Sequence, residues 1–193
     1  MKFSQKTLFI LVFIIFILVS SLLPIYSFQG YSILSNTTSH LGAQGSPNAW
    51  IMNLTFILLG ITSLWIAIQS KIRLYQVIGS VFGLSLLLTG VFKHGALIEG
   101  YTSVLLEDQM HSVFATTTGI SFVILAFSHG FMSTGKQRWI GILLAIAASL
   151  ISLGMALIPS YMGILQRLMF ILSFSWLFFY MKPPRDKQYT SIK

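Results

Sequence analysis

Apolar residues run along this chain in six long blocks, separated by short polar breaks, at residues 7–26, 49–69, 75–92, 111–132, 139–158 and 161–181. Each block approaches the roughly 20 residues that a helix needs to cross the hydrocarbon layer of a bilayer. Backbone groups in lipid must bond internally, so unbroken apolar runs of this length read as helices. A membrane barrel would need alternating apolar and polar positions, and these are absent. The pattern predicts an all-α integral membrane protein: one domain over residues 1–181, a bundle of six transmembrane helices. A basic polar tail over residues 182–193 is predicted to be a disordered cytoplasmic segment.

Composition agrees. Hydrophobic residues make up 55% and charged residues 8% of the 193 positions, against about 25% charged in a soluble domain. There is no cysteine, which excludes disulfides and thiolate chemistry. A net charge of +8 raises the question of nucleic acid, but the basic residues lie at helix ends rather than on one face. Ten of the twelve fall on one side of six crossings: Lys2, Lys6, Lys71, Arg73, Lys136, Arg138, Lys182, Arg185, Lys187 and Lys193. This asymmetry places both termini in the cytoplasm and the protein in the inner membrane. Lys2 and Lys6 before an apolar run also suit a signal peptide. That run is longer than a signal core and no clear Ala-x-Ala site follows, so a retained helix is expected.

The outer side then holds two connections, residues 27–48 (loop one) and the stretch 91–118 around loop two. Loop one is rich in Ser, Thr, Asn and Gly, with Pro47, and reads as turns rather than helix. The second stretch holds three of the four acidic residues (Glu99, Glu107, Asp108) and two of the four histidines (His94, His111). His40, His94 and His111 with a carboxylate could bind Zn²⁺ and activate a water, although no pair has the His-Glu-x-x-His spacing. His129 lies 18 residues beyond His111 on the same helix. It therefore belongs at the opposite face, as an interfacial residue or a partner of the helix dipole.

Lys93 and Arg167 are the two basic residues that break the charge rule. Arg167 sits inside the sixth run, where an arginine costs about 2.5 kcal/mol or more and usually turns inward to a partner. Asp108, Glu107, Glu99 or an external phosphate or carboxylate are the available anions; snorkelling is the alternative, and for Lys93 snorkelling is the leading reading. Ser39 beside His40 is a candidate nucleophile without an elbow motif. Asn53, Gln166 and Thr116–Thr118 are polar groups within or near the spans, where such residues commonly bond helix to helix. Gly79-x-x-x-Gly83 is a small-residue contact motif that suits an oligomer.

Several of these residues form a recognisable set: Tyr31-Ser32, Ser39-His40-Leu41-Gly42, Pro47, Trp50 and Asn53, Gly90-Val91-Phe92, His111, then Gly163 with Gln166-Arg167. The set resembles the domain of unknown function 998 family, six-helix membrane proteins of bacteria and archaea, over nearly the whole chain. The family's loop pattern Ile-Ser-x-Leu-Gly has Thr38 in the Ile place here. Its Gly-x-Phe-Pro helix end has Lys93 in the Pro place, which changes the local backbone and can move His94. Loop one also resembles, more faintly, the Frag1, DRAM and Sfk1 family linked to lipid metabolism. The six-helix topology agrees with both resemblances; the first implies the fold and a site at this end, not a reaction.

The expected site is an outward polar pocket. Ser39, His40, Asp108 and His111 are its candidate catalytic residues; Arg167, Gln166, Asn53 and Lys93 are its candidate substrate contacts. The leading expectation is a lipid-handling protein, with a hydrolase or acyl-transfer enzyme as its catalytic form, His111 and Asp108 serving as base and orienter. A small-solute transporter and a structural partner in a membrane complex are the alternatives, with a b-type haem protein more distant, and the sequence leaves enzyme and non-enzyme open.

Overall fold

A computed structural model describes residues 5–181 of the chain; the tail read as disordered lies outside them. Seven α-helices appear: α1 Gln5–Leu22, α2 Thr38–Leu41, α3 Ala49–Gln69, α4 Arg73–Val91, α5 Leu105–Met132, α6 Gly135–Leu157 and α7 Met162–Ser175. A 3₁₀ turn, Leu23–Tyr26, extends α1; another, Pro159–Tyr161, joins α6 to α7; and a π-helical turn, Trp176–Tyr180, continues α7. With these extensions, six helical segments are long and apolar enough to cross a membrane. No strand occurs among the described residues.

Neighbours in sequence pack as neighbours in space from α3 through α7, and α1 closes the ring against α3 and the π-turn. Aromatic side chains fill the middle. Phe170 and Phe174 of α7 stack at 5.8 Å, Phe16 of α1 and Phe56 of α3 meet Phe170 at 5.2 and 5.8 Å, and Phe82 of α4 meets Phe174 at 6.0 Å. Glycines set the closest approaches. A Cβ on Gly83 would lie 2.6 Å from the Leu64 nitrogen, and one on Gly60 would lie 2.5 Å from the Leu87 nitrogen. The Gly79-x-x-x-Gly83 face is thus occupied by α3 of the same chain, not presented to a second copy.

Two boundaries differ from the sequence pattern, and both matter for the site. Helix α5 begins at Leu105, not at His111. Glu107 and Asp108 fall in its first turn, where acidic side chains complement the helix dipole. Loop one is not all turn: residues 38–41 make one helical turn, opened by Thr37, whose side chain accepts from the His40 N–H. Thr38, Leu41 and Ala43 are fully buried, so loop one is a folded plug at its end of the bundle.

At the opposite end His129 is also fully buried, not interfacial. Its Nδ1 meets the Tyr75 hydroxyl at 2.9 Å and its Nε2 lies 3.2 Å from Gln137 Oε1. Trp176 packs on the ring edge-on at 5.3 Å.

Candidate functional site

Loop one docks through α7. Gly163 makes this possible: a Cβ there would strike the carbonyls of Asn36 and Ile33. The Gly163 and Ile164 N–H groups, unpaired within a helix's first turn, donate to the Leu34 carbonyl at 2.9 and 3.2 Å. One turn on, Arg167 turns into the protein and is 8% exposed. Its Nε donates to Ser20 O of α1, and its guanidinium nitrogens donate to the carbonyls of Ile33, Asn36 and Gly163 and to the Tyr31 hydroxyl. The Tyr31 hydroxyl in turn donates to Thr37 O at 2.8 Å. Arg167 therefore finds carbonyl dipoles and a phenol rather than an acidic side chain, and it neither snorkels nor faces an external headgroup. Burial raises the Tyr31 pKa, with the nearby guanidinium opposing.

Gln166 completes the dock. Its Oε1 accepts from the Thr38 backbone N–H at 2.8 Å and from the Thr38 hydroxyl at 2.6 Å. Asn53 of α3 donates to Gly42 O at 3.0 Å, a contact so close that a Cβ on Gly42 would overlap the Asn53 amide. Gln44, which the sequence pattern did not mark, stitches loop one to loop two. It exchanges bonds with both N–H and C=O of Val104 and receives none of its support from charge. Asn53 is thus an anchor for the plug, and Lys93 has an exposed side chain.

The three histidines of this end do meet, as a row of rings. His40 and His94 lie 4.9 Å apart and His94 and His111 lie 5.4 Å apart, both edge to face. Among the described residues, no three metal-ligating side chains converge on one point. The zinc triad expected from the sequence is not assembled, because ring edges face ring faces instead of sharing a focus. Two of the ring nitrogens have other work: Nδ1 of His94 donates to Gly95 O, and Nδ1 of His111 to the carbonyls of Thr89 and Phe92. Asp108 Oδ1 accepts from the Gly95 N–H at 2.6 Å. Backbone carbonyls, not Asp108, orient His111, whose Nε2 is buried without a hydrogen-bond partner among the described residues.

His40 differs. The Ser32 N–H donates to Asn36 Oδ1, which fixes the Asn36 amide so that its Nδ2 donates to His40 Nδ1. Burial first, then proximity to His94, His111 and Arg167, lowers the His40 pKa to about 4. His40 is neutral at ordinary pH.

Beneath the plug lies a half-open cavity of about 640 Å³ between α4, α5, α6 and α7. At the far end α5 and α6 touch backbone to backbone, since a Cβ on Gly141 would lie 2.6 Å from the Gly130 nitrogen. From Ser149 onward no α6 residue is buried, and Ser149, Ser152 and Met155 line the cavity. Phe82, Leu86, Phe122, Phe170 and Phe174 supply apolar wall, and Ser39, Gln166 and Ser173 polar wall. Ser39 and Ser173 are 6% and 4% exposed, and neither hydroxyl has a hydrogen-bond partner among the described residues. Thr118 and Ser149, by contrast, bond back to their own helices at Phe114 O and Ala145 O. A Cβ on Gly119 would meet nothing within 4 Å.

Of the expected site residues, only Ser39 and Gln166 line this cavity. Ser173, Ser152 and Gly119 line it too and were missed. Their signal was a small or hydroxyl residue in mid-span on three different helices, a pattern shared with ordinary helix contacts.

Fold and composition define a multi-pass membrane protein with a cavity between its helices. The chain belongs to the family described as "Protein of unknown function (DUF998)", which it matches over residues 10–181. No curated protein and no solved structure matches it.

Proposed function

We propose that this protein handles lipid by taking an acyl chain into the cavity between α4, α5, α6 and α7. The observation that carries this reading is the cavity itself: about 640 Å³, walled mainly by apolar side chains, within the spans. Specific small-molecule sites are concave, mostly apolar and roughly 300–1,000 Å³, with a few placed polar groups. A chain entering here exchanges a lipid surrounding for a protein one, so selectivity rests on shape and on the few hydroxyls. The charge distribution along the sequence supports a location in the cytoplasmic membrane, with both termini inside and the plug facing out.

An acyl-transfer form of this reading would use Ser39 as nucleophile. Its place on the cavity wall favours that half. The base half has no such support, because Ser39 is hydrogen-bonded to neither His40 nor His111 among the described residues. Binding without chemistry is therefore the primary reading.

Native mass spectrometry from mild detergent tests it. Retained lipid on the wild type and its loss on Gly119→Trp, a change that fills open space, is the expected result. Equal lipid on both proteins would contradict the cavity as the site.

A further inference from the structure

The polar wall says what kind of lipid. Gln166 presents a donor with no freedom to become an acceptor. A backbone N–H can only donate, so the Thr38 N–H at 2.8 Å holds the carbonyl oxygen of the Gln166 amide. The amide Nε2 is left as two N–H donors, and these meet no acceptor among the described residues. Ser39 lines the same cavity, and its hydroxyl likewise has no hydrogen-bond partner among the described residues. The residues lining the cavity include no Lys, Arg, His, Asp or Glu. Arg167, next in sequence to Gln166, does not line it and is engaged by four carbonyls and Tyr31. A carboxylate or phosphate taken into such a place would lose its hydration with no cation to replace it. An uncharged acceptor oxygen would satisfy the amide and the hydroxyl at little desolvation cost.

We infer that the cavity selects an uncharged lipid with hydrogen-bond-accepting oxygens, of the acylglycerol type, its ester held by Gln166 and Ser39 and its chain running toward Ser173. Gln166 and Ser173 lie seven residues apart on α7, roughly 10 Å along the helix, so the polar grip and the deeper hydroxyl are separated by a stretch of chain. The inference rests on the lipid-binding reading above and adds the headgroup class.

The test exploits the absence of cysteine from the sequence. Gly119→Cys places a single thiol on the cavity wall. Its labelling by N-ethylmaleimide is followed in vesicles with added monooleoylglycerol or oleate above the carboxylate pKa. Monooleoylglycerol is expected to protect the thiol at concentrations about tenfold below oleate. Ser39→Ala in the same background is expected to raise the protecting concentration severalfold for monooleoylglycerol and leave oleate unchanged. Gln166→Glu keeps an acceptor for Thr38 while removing the donor pair, and is expected to raise the protecting concentration severalfold for monooleoylglycerol with loop one still docked. Equal protection by both lipids, stronger protection by oleate, or monooleoylglycerol protection untouched by Ser39→Ala and Gln166→Glu overturns the inference and leaves the cavity reading standing. A thiol that no lipid protects, or that does not react, overturns the cavity reading itself.

Discussion

Arg167 of α7 donates to the hydroxyl of Tyr31 in loop one at 2.7 Å, across 136 residues of chain. Through this bond and four carbonyl contacts, one buried cation holds the plug to α1 and α7. Arg167→Met leaves several buried carbonyls unpaired, each worth about 1–3 kcal/mol. The expected outcome is a large fall in the thermal unfolding midpoint in detergent. Tyr31→Phe, which removes one acceptor, lowers it less. Because the two residues share one network, the double variant should fall short of the sum. Additive effects would show that the network is not the unit described.

His40 makes the plug sensitive to acid. Its pKa is lowered to about 4 by burial and by His94, His111 and Arg167, against about 6.5 in an unfolded chain. Between those values the unfolded chain binds more protons than the folded one, so stability rises with pH there. The contribution is fully present above about 6.5 and is lost as pH falls toward about 4. Unfolding midpoints measured from pH 7.5 to 4.5 should decline, and His40→Gln should flatten the decline. An unchanged slope in the variant would assign the acid response elsewhere.

Two glycines give opposite expectations. A Cβ at Gly163 meets the Ile33 carbonyl at 2.5 Å, and at Gly119 it meets nothing. Gly163→Ala should destabilise by about 2 kcal/mol, the usual range for forced backbone shifts. Gly119→Ala should match or slightly exceed the wild type, since alanine suits a helix interior better. Equal midpoints for the two variants would remove the close contact between α7 and loop one.

The Gln44 bridge predicts coupled loops. Gln44→Ala removes its bonds to Val104. Hydrogen exchange should then quicken in loop two around residues 93–104 as well as in loop one. Faster exchange confined to loop one would mean that loop two is held by other contacts.

The six spans were legible because a lipid solvent leaves few options: each run is apolar along its length and ends in polar residues. The plug was less so. Thr38 to Leu41 form one turn only because Thr37 caps them and Gln166, 128 residues on, receives Thr38, and no local pattern carries that information. Arg167 stood out as costly in mid-span, but its partners are backbone carbonyls, which every residue offers and no motif reveals. The cavity was invisible for a similar reason. Gly83 and Gly119 look alike in sequence, yet one is packed against backbone and the other opens on space. Ser173, whose hydroxyl has no hydrogen-bond partner among the described residues, likewise reads the same as Ser149, whose hydroxyl bonds its own helix.

The most direct measurement is photo-crosslinking in vesicles with an acylglycerol carrying a diazirine midway along its chain, followed by peptide mapping. The cavity account predicts adducts concentrated at residues 116–124 of α5 and 169–174 of α7, lost in Gly119→Trp. Adducts spread over exposed positions such as Leu143 and Leu150 of α6, and unchanged in Gly119→Trp, would show that lipid meets only the outside of the bundle.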